Sequence, residues 1–173
     1  MGPRGAWTVG PAVQATAPAA DRTLRTFLES RLAHYADRRN QPEEEVTSGL
    51  SPYLHFGHIA VQQVFAETTA AAGWTADRLS SRATGSAQGW WGGAPEVESF
   101  LDELITWREL GYNLCWQRED YDQYASLPEW ARRTLAKHAL DRRTYQYSPE
   151  EFVNAATHDP LWNAAQRQLL REG

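Results

Sequence analysis

The strongest constraint on the fold is a long helix-forming segment that runs from Glu98 to Gln117. Polar residues at i, i+4, i+7 and i+11 spacing place one narrow polar stripe on this helix. They are Asp102, Thr106, Glu109 and Asn113. The rest of the helix surface is mostly apolar, and a helix of this kind lies inside a domain. We therefore predict a helical domain with this segment in its interior, where Cys115 is a small buried residue.

Helix signals recur along the rest of the chain. An apolar stripe with helical spacing begins at Leu24 and ends at Tyr35, with Asp21 as its predicted cap. Further predicted helices run from Pro52, from about Ile59 to Ala72, from Ser126 with Glu129, from Ser148 with Glu151, and from Asp159 with Pro160. No alternating strand pattern competes with these signals. The predicted fold class is therefore all-α.

Two segments lack helical periodicity. Met1 to Ala20 is rich in Gly, Ala and Pro and is predicted to be a linker or disordered segment, so that the folded domain runs from Asp21 to Gly173. The stretch between Gly73 and Pro95 is predicted to be a long surface loop. Trp90 and Trp91 lie within it, and a packing anchor for the loop is the default interpretation.

Composition narrows the class of protein. No apolar run approaches the length of a membrane span, no secretion signal precedes the fold, and the single cysteine cannot form an internal disulfide. These features predict a soluble cytoplasmic protein with no membrane partner. The five histidines show no metal-ligand spacing, so we expect no metal site.

The net charge of −5 argues weakly against generic nucleic-acid binding. The segment 130–143 is nevertheless locally basic, with one acid, Asp141. Its cations are Arg132, Arg133, Lys137, Arg142 and Arg143. A phosphate-binding strip and a solvated helix face are equally compatible with this pattern.

The segment Thr47–His58 combines a hydroxyl-rich loop with a helix start. Ser51 is expected to cap the helix that Pro52 opens, and Gly57 can close it. The first-turn N–H groups, the hydroxyl groups of the loop and the helix dipole together suit an anionic ligand. An ordinary capped helix is the alternative.

Glu103 and Trp107 are four residues apart and are predicted to stack on one face of the buried helix. A carboxyl group beside an indole at such an edge can have a raised pKa and can donate a proton or a hydrogen bond. The alternative is a structural role for Glu103 in a salt bridge or as a helix-cap partner.

Three ordered motifs resemble the photolyase and cryptochrome family. They are Y-x-x-x-R-N followed by T-S-G-L-S-P-Y-L-H-F-G between Tyr35 and Gly57, S-F-L-D-E-L-I-T-W-R-E-L-G-Y-N ending at Asn113, and H-D-P-L-W-N-A-A-Q from His158 to Gln166. Together they resemble the class II branch of cyclobutane pyrimidine dimer photolyases, from about Asp21 to the last residue. The class I branch spaces the Glu103 and Trp107 pair one residue closer together, which favours class II.

The resemblance implies a partial helical FAD-binding domain, with FAD as the cofactor. The positions that match the family's cofactor-binding residues are Tyr35, Thr47, Ser48, Gly49, Leu50 and Ser51. Gly49 departs from the larger residue that is more common there.

The resemblance also implies a lesion pocket. Glu103 would donate a hydrogen bond to the pyrimidine dimer, and Trp107 would stack on it. Arg39 and Asn40 would lie at the floor of the pocket, although a surface cation is the alternative for Arg39. Trp162 matches a tryptophan that relays electrons to the flavin, and core packing is its alternative.

The activity implied by the resemblance is the light-driven repair of cyclobutane pyrimidine dimers in UV-damaged DNA by reduced FAD, the reaction of a carbon–carbon lyase. The family's second half of the domain and its antenna-pigment domain have no counterpart here, so a truncated or split photolyase is expected, with a second chain as the partner that would supply the missing half. The alternatives are an inactive fragment and a cryptochrome-like flavin photoreceptor, which would not need Glu103 and Trp107.

Overall fold

The computed structural model describes residues 16–82, 85 and 88–172. Within these ranges the chain forms helices and turns and no β-strand, which confirms the all-α prediction. The described residues fall into two compact units, one that ends at Tyr121 and one that begins at Asp122. None of the helices in these ranges is both long and apolar enough to cross a lipid bilayer.

The described residues of the first unit form six α-helices with irregular helical junctions. The α-helices are α1 (Ala17–Thr26), α2 (Tyr35–Arg38), α3 (Ser51–His55), α4 (Val61–Ala71), α5 (Pro95–Leu101) and α6 (Arg108–Gln117). The junctions are a π-helix (Phe27–Arg31) and a 3₁₀ turn (Leu32–His34) before α2, a 3₁₀ turn (Ala76–Arg78) after α4, and a π-helix (Asp102–Trp107) between α5 and α6.

Helix α1 begins earlier than the sequence predicts. The side-chain oxygen of Thr16 accepts a hydrogen bond from the Ala19 amide at 3.3 Å and caps the helix, so the predicted start at Asp21 is wrong. Of the segment predicted to be a linker, residues 1–15 lie outside the described residues, and residues 17–20 form the first turn of α1. Thr16 precedes a proline in the first turn of α1, which is a normal helix start. The Gly-, Ala- and Pro-rich composition of the segment led to the prediction of a linker instead.

The core of the first unit contains a cluster of three aromatic rings. Phe27 lies 4.6 Å from Phe100 and 5.7 Å from Tyr35 between ring centroids, and Tyr35 meets Phe100 edge to face at 5.4 Å. The wide π-helical turn after α1 is followed by a tight 3₁₀ turn, so the rotation of the side chains around the helix axis that one turn adds is compensated by the other. The predicted apolar residues therefore still face the core, and Leu24 and Leu32 are also buried.

The long segment predicted as an interior helix is buried only in its first half. Phe100, Leu101 and Leu104 are buried, but α6 has no buried residue and Trp116 is 90% exposed. The prediction of an interior position is therefore wrong for α6, and Cys115 is exposed rather than buried. Apolar composition marks a surface that favours burial, but it does not determine which residues cover that surface.

The loop after α4 is anchored by Trp91, which confirms the predicted packing role. Trp91 is buried against Trp74 and Phe65, and its carbonyl oxygen accepts a 2.6 Å hydrogen bond from the Trp74 indole. The Glu98 carboxylate accepts hydrogen bonds from the Gly89 and Gly93 amides at 2.9 and 3.3 Å. The tryptophan and the carboxylate together tie this loop to α4 and α5.

The second unit contains α7 (Glu129–Lys137), α8 (Pro149–Val153) and α9 (Pro160–Glu172), preceded by a 3₁₀ turn (Tyr124–Ser126). Two predicted helix starts are confirmed. Ser148 and Glu151 form both halves of a capping box, and the Asp159 carboxylate accepts from the first amides of α9 at 2.8 and 3.1 Å. The predicted cap at Ser126 is wrong, because that residue lies in the 3₁₀ turn and Pro128 precedes α7.

Candidate functional site

An open cleft of about 370 Å³ lies in the first unit, between α3 and the segment that joins α5 to α6. Ser48 and Ser51 line one part of the cleft. They belong to the hydroxyl-rich segment Thr47–Ser51, which is predicted to bind phosphate and is called the phosphate loop. Glu103, the predicted lesion-binding carboxylate, and Arg108 line another. The structure therefore brings residues from two of the sequence motifs to one surface.

The phosphate loop has a defined backbone shape. The Ser48 hydroxyl oxygen accepts a 3.3 Å hydrogen bond from the Leu50 amide, and the Leu50 side chain is buried. Gly49 between them has a φ of +67°, a conformation that favours glycine. A side chain there would meet only the Thr23 methyl group, at 3.5 Å, so the backbone angle explains the glycine. Thr47 is exposed, and its carbonyl oxygen accepts from Arg31 at 3.4 Å.

The helix that follows this loop differs from the prediction at its start and agrees at its end. Leu50 rather than Ser51 occupies the cap position of α3, without a side-chain hydrogen bond, so the predicted Ser51 cap is wrong. Pro52 lies in the first turn, as predicted, and Gly57 follows the helix with a φ of +71°. Because Ser51 is not used as a cap, its exposed hydroxyl group has no hydrogen-bond partner within the described ranges and can serve a ligand.

Tyr35 belongs to the core rather than to the wall of the cleft. It is buried in the aromatic cluster with Phe27 and Phe100, and the Arg39 guanidinium carbon lies 5.5 Å from the centre of its ring. Phe100 is shared, since it lines the cleft and contacts Tyr35. Tyr35 is therefore placed to support the cleft from behind.

Arg39 and Glu103 form an ion pair that joins two of the predicted lesion-pocket residues. The Arg39 Nη1 to Glu103 Oε1 distance is 2.8 Å, and both side chains are partly exposed. Partial burial lowers the pKa of Arg39, but hydrogen bonds with Tyr35 and Glu103 and the charge of Glu103 outweigh it, so this pKa is raised. The salt bridge considered for Glu103 is thus present, and its partner is Arg39. Asn40 follows Arg39 and is exposed.

Trp107 presents an exposed indole. Its side chain is 59% exposed, and its Nε1 donates a 3.1 Å hydrogen bond to the Asp102 carboxylate. Residues Asp102–Trp107 form a π-helix rather than the predicted α-helix, and its wider turn brings Trp107 to Asp102, five residues earlier. The pairing of Glu103 with Trp107 at the lesion stays a prediction. The hydrogen bond fixes the indole while its surface stays accessible, which suits stacking on a base.

Arg108 and Tyr112 line the cleft and were not identified by the sequence analysis. Arg108 Nη2 donates to the Tyr112 hydroxyl at 3.2 Å, and its guanidinium carbon lies 5.2 Å from the centre of that ring. The signal was present in the spacing, since Leu104, Arg108 and Tyr112 recur every four residues and therefore share a helix face.

In the second unit, Trp162 is 46% exposed and meets Phe152 edge to face at 5.4 Å. The neighbouring Asn163 amide is buried. Its Oδ1 accepts from the Thr157 amide at 3.0 Å and hydroxyl at 2.8 Å, and its Nδ2 donates to the Thr157 carbonyl at 2.7 Å. These bonds fix the start of α9. Trp162 thus packs against the Phe152 ring and is partly exposed. Its role as an electron relay to the flavin stays a prediction.

The basic segment 130–143 is partly neutralised by nearby acids. Arg133 pairs with Glu129 at 3.5 Å, and Asp141 lies 3.6 Å from Arg143 and 2.7 Å from the His138 ring. This pattern fits a solvated helix face for those residues. Within the described ranges, no group of three or more His, Cys, Asp or Glu side chains is arranged to hold a metal ion.

The chain is similar to curated proteins named deoxyribodipyrimidine photo-lyase. It is 40% identical over 148 residues to the one from Oryza sativa subsp. japonica, 36% over 150 residues to the one from Potorous tridactylus, and 38% over 147 residues to the one from Methanothermobacter thermautotrophicus. The matches cover 85%, 87% and 85% of this chain but only 26%, 25% and 28% of those relatives. The chain therefore spans about a quarter of the length of the curated relatives it matches. No protein-family model matches it.

Proposed function

We propose that the chain supplies part of the FAD-binding and lesion-binding domain of a class II cyclobutane pyrimidine dimer photolyase, acting on UV-damaged DNA. The observation that carries the proposal is the cleft that unites Ser48 and Ser51 with Glu103. The similarity to named photo-lyases over most of the chain supports the same assignment.

The residues at the cleft fit the polar part of FAD. Serine hydroxyl groups and a guanidinium are good donors to phosphate oxygens, and Ser48, Ser51 and Arg108 all line the cleft. Its volume of about 370 Å³ is at the lower end of the range for drug-sized ligands, so a dinucleotide would extend beyond it. When bound in its reduced form, FAD would supply an electron to the dimer under blue or near-ultraviolet light, the cyclobutane ring would split, and the electron would return to the flavin.

The chain's own residues would bind and orient the lesion. Arg39 holds the Glu103 carboxyl group in place through the 2.8 Å contact, and Glu103 would hydrogen-bond the dimer. The exposed Trp107 ring, oriented by Asp102, would stack on the extruded bases. Asn40 and Arg39 would lie beneath them, and Trp162 would serve electron transfer to the flavin. Tyr35 would support the cleft through Phe100, which lines it.

The experiment is a light-dependent repair assay on an oligonucleotide that contains one cyclobutane dimer. It uses the flavin-loaded chain, or the chain together with a second chain that supplies the rest of the domain. We expect repair under blue light and none in the dark. Absence of light-dependent repair in every such preparation would refute the proposed function.

Glu103→Ala separates lesion binding from flavin binding in the same assay. We expect a lower repair yield with unchanged flavin content, because the carboxyl group is assigned to the lesion. Glu43→Ala is the matched control, since Glu43 is exposed and does not line the cleft. Equal repair by the Glu103 and Glu43 variants would reject the role of Glu103.

A further inference from the structure

A second cavity lies in the first unit, apart from the cleft. Its volume is about 310 Å³, which is at the lower end of the range for small-molecule sites. It lies between the junction that follows α1, the end of α4 and the start of α5, and it shares no lining residue with the cleft. The proposed function therefore leaves this cavity without a role.

Much of the lining of this cavity is apolar. Leu32 and Val97 are buried, and Leu28 is half-buried. The other apolar positions carry small side chains or none, which leaves the space open, and they are Ala33, Ala71, Ala72, Gly93 and Ala94. A lining of this kind favours the apolar part of a ligand, because contact removes that part from water.

The Trp74 indole is a fixed aromatic part of the lining. Its Nε1 donates a 2.6 Å hydrogen bond to the Trp91 carbonyl oxygen, and its ring lies 5.9 Å from that of Phe65 and 6.0 Å from that of Trp91 between centroids. A Cβ at Gly93 would meet the indole at 3.6 Å, so the glycine places no side chain over this part of the ring. A ring held in this way can pack against a planar group with little further loss of conformational freedom.

Two side chains of opposite charge, Arg78 and Glu96, also line the cavity. In the part of the chain that the structure describes, neither forms an ion pair or a side-chain hydrogen bond. Asp77, which precedes Arg78, hydrogen-bonds with the Thr75 side chain instead. Glu96 is half-buried, so less water screens its charge. The cavity therefore offers a ligand one cation and one anion.

The loop after α4 fixes the backbone at Arg78. The Ser80 amide donates to the Trp90 carbonyl oxygen at 2.9 Å. Gly92 has a φ of +62° and lies so close to Arg78 that a Cβ would come within 2.1 Å of the Arg78 carbonyl oxygen. The start of the arginine side chain thus has a defined place at the cavity, and its long stem can bring the guanidinium to a ligand.

We infer that this cavity binds an aromatic zwitterion of about the size of an aromatic amino acid. Its carboxylate pairs with Arg78, its ammonium group pairs with Glu96, and its ring packs against Trp74. A ligand with only one charge would leave the opposite protein charge without a partner, and an uncompensated charge is costly where water is partly excluded. The inference is independent of the proposed function, because the cavity and the cleft share no residue.

The test is a titration of the full chain followed by saturation-transfer NMR of the ligand. Three probes are compared: L-phenylalanine, 3-phenylpropionate, which lacks the ammonium group, and phenethylamine, which lacks the carboxylate. We expect L-phenylalanine to bind with a Kd of about 0.1–1 mM, as is ordinary for a ligand of this size. Each analogue should bind about fivefold more weakly, because it loses one partly exposed charge pair.

The two charged residues should affect different probes. Arg78→Gln should weaken L-phenylalanine and 3-phenylpropionate about fivefold and leave phenethylamine unchanged. Glu96→Gln should weaken L-phenylalanine and phenethylamine by a similar factor without weakening 3-phenylpropionate. Ala71→Leu adds a side chain to the cavity lining and should abolish binding of all three probes.

Arg25→Gln and Glu29→Gln are the matched controls, because both residues are exposed and neither lines the cavity. Circular dichroism verifies that each variant is folded. The inference would be overturned by a folded wild type that binds no L-phenylalanine up to about 10 mM. It would also be overturned if the lining and control variants bound all three probes equally. Flavin retention by Arg78→Gln and Glu96→Gln should match the wild type, so failure of the flavin site would leave this result unchanged.

Discussion

Replacement of Tyr35 tests whether its main role is structural support of the cleft. Tyr35 is 8% exposed and contacts Phe27 and Phe100 at 5.7 and 5.4 Å between ring centroids. Tyr35→Ala removes a buried ring and leaves a cavity, for which large aromatic residues typically lose about 3–5 kcal/mol of unfolding free energy. That is a large part of the roughly 5–15 kcal/mol that stabilises an ordinary domain. Flavin retention by Tyr35→Ala would therefore fall through unfolding as well as through lost contacts.

Tyr35→Phe is the matched variant, because it keeps the ring and removes only the hydroxyl group beside Arg39. We expect it to lose about 1 kcal/mol at most, because the buried ring and its contacts with Phe27 and Phe100 are kept. Urea denaturation of the full chain, followed by far-ultraviolet circular dichroism, measures both variants. A difference of less than about 1 kcal/mol between Ala and Phe would refute the structural role, because the cavity cost would be absent.

Three further predictions concern stability and use the same denaturation assay. A double-mutant cycle of Arg39→Gln and Glu103→Gln should give a coupling of about 0.5–1 kcal/mol, since the pair is partly exposed, and a value of zero would contradict the ion pair. Gly92→Ala should cost about 1–3 kcal/mol more than Gly73→Ala. Both glycines have positive φ, but only at Gly92 would the new Cβ collide with a backbone carbonyl, so equal costs would contradict the loop geometry. Asn163→Ala should cost about 2–3 kcal/mol through three lost, partly buried hydrogen bonds, and a cost below about 0.5 kcal/mol would contradict them.

Features determined by neighbouring residues were predictable from the sequence. The Ser148 and Glu151 capping box, the Asp159 cap and the helix end at Gly57 depend on contacts within a few residues, and the structure contains all three. The burial of Trp91 followed from the need of a long loop for an anchor. The all-α class followed from helical periodicity without a competing strand pattern.

Features determined by distant contacts or by altered helix geometry were not predictable. Arg39 and Glu103 are 64 residues apart, so no local spacing identifies their ion pair. The π-helix at Asp102–Trp107 has no periodic signature, so the hydrogen bond between Trp107 and Asp102, five residues apart, was not predicted. The exposure of α6 depends on what covers an apolar surface, which composition does not specify.

The most direct test of the central claim is the absorption spectrum of the purified chain after incubation with FAD and removal of unbound flavin. The proposed cleft predicts retention of close to one flavin per chain, with structured absorption bands that indicate an ordered environment. A folded chain, verified by circular dichroism, that emerges colourless both alone and together with a second chain that supplies the rest of the domain would contradict the assignment of the flavin site to this cleft.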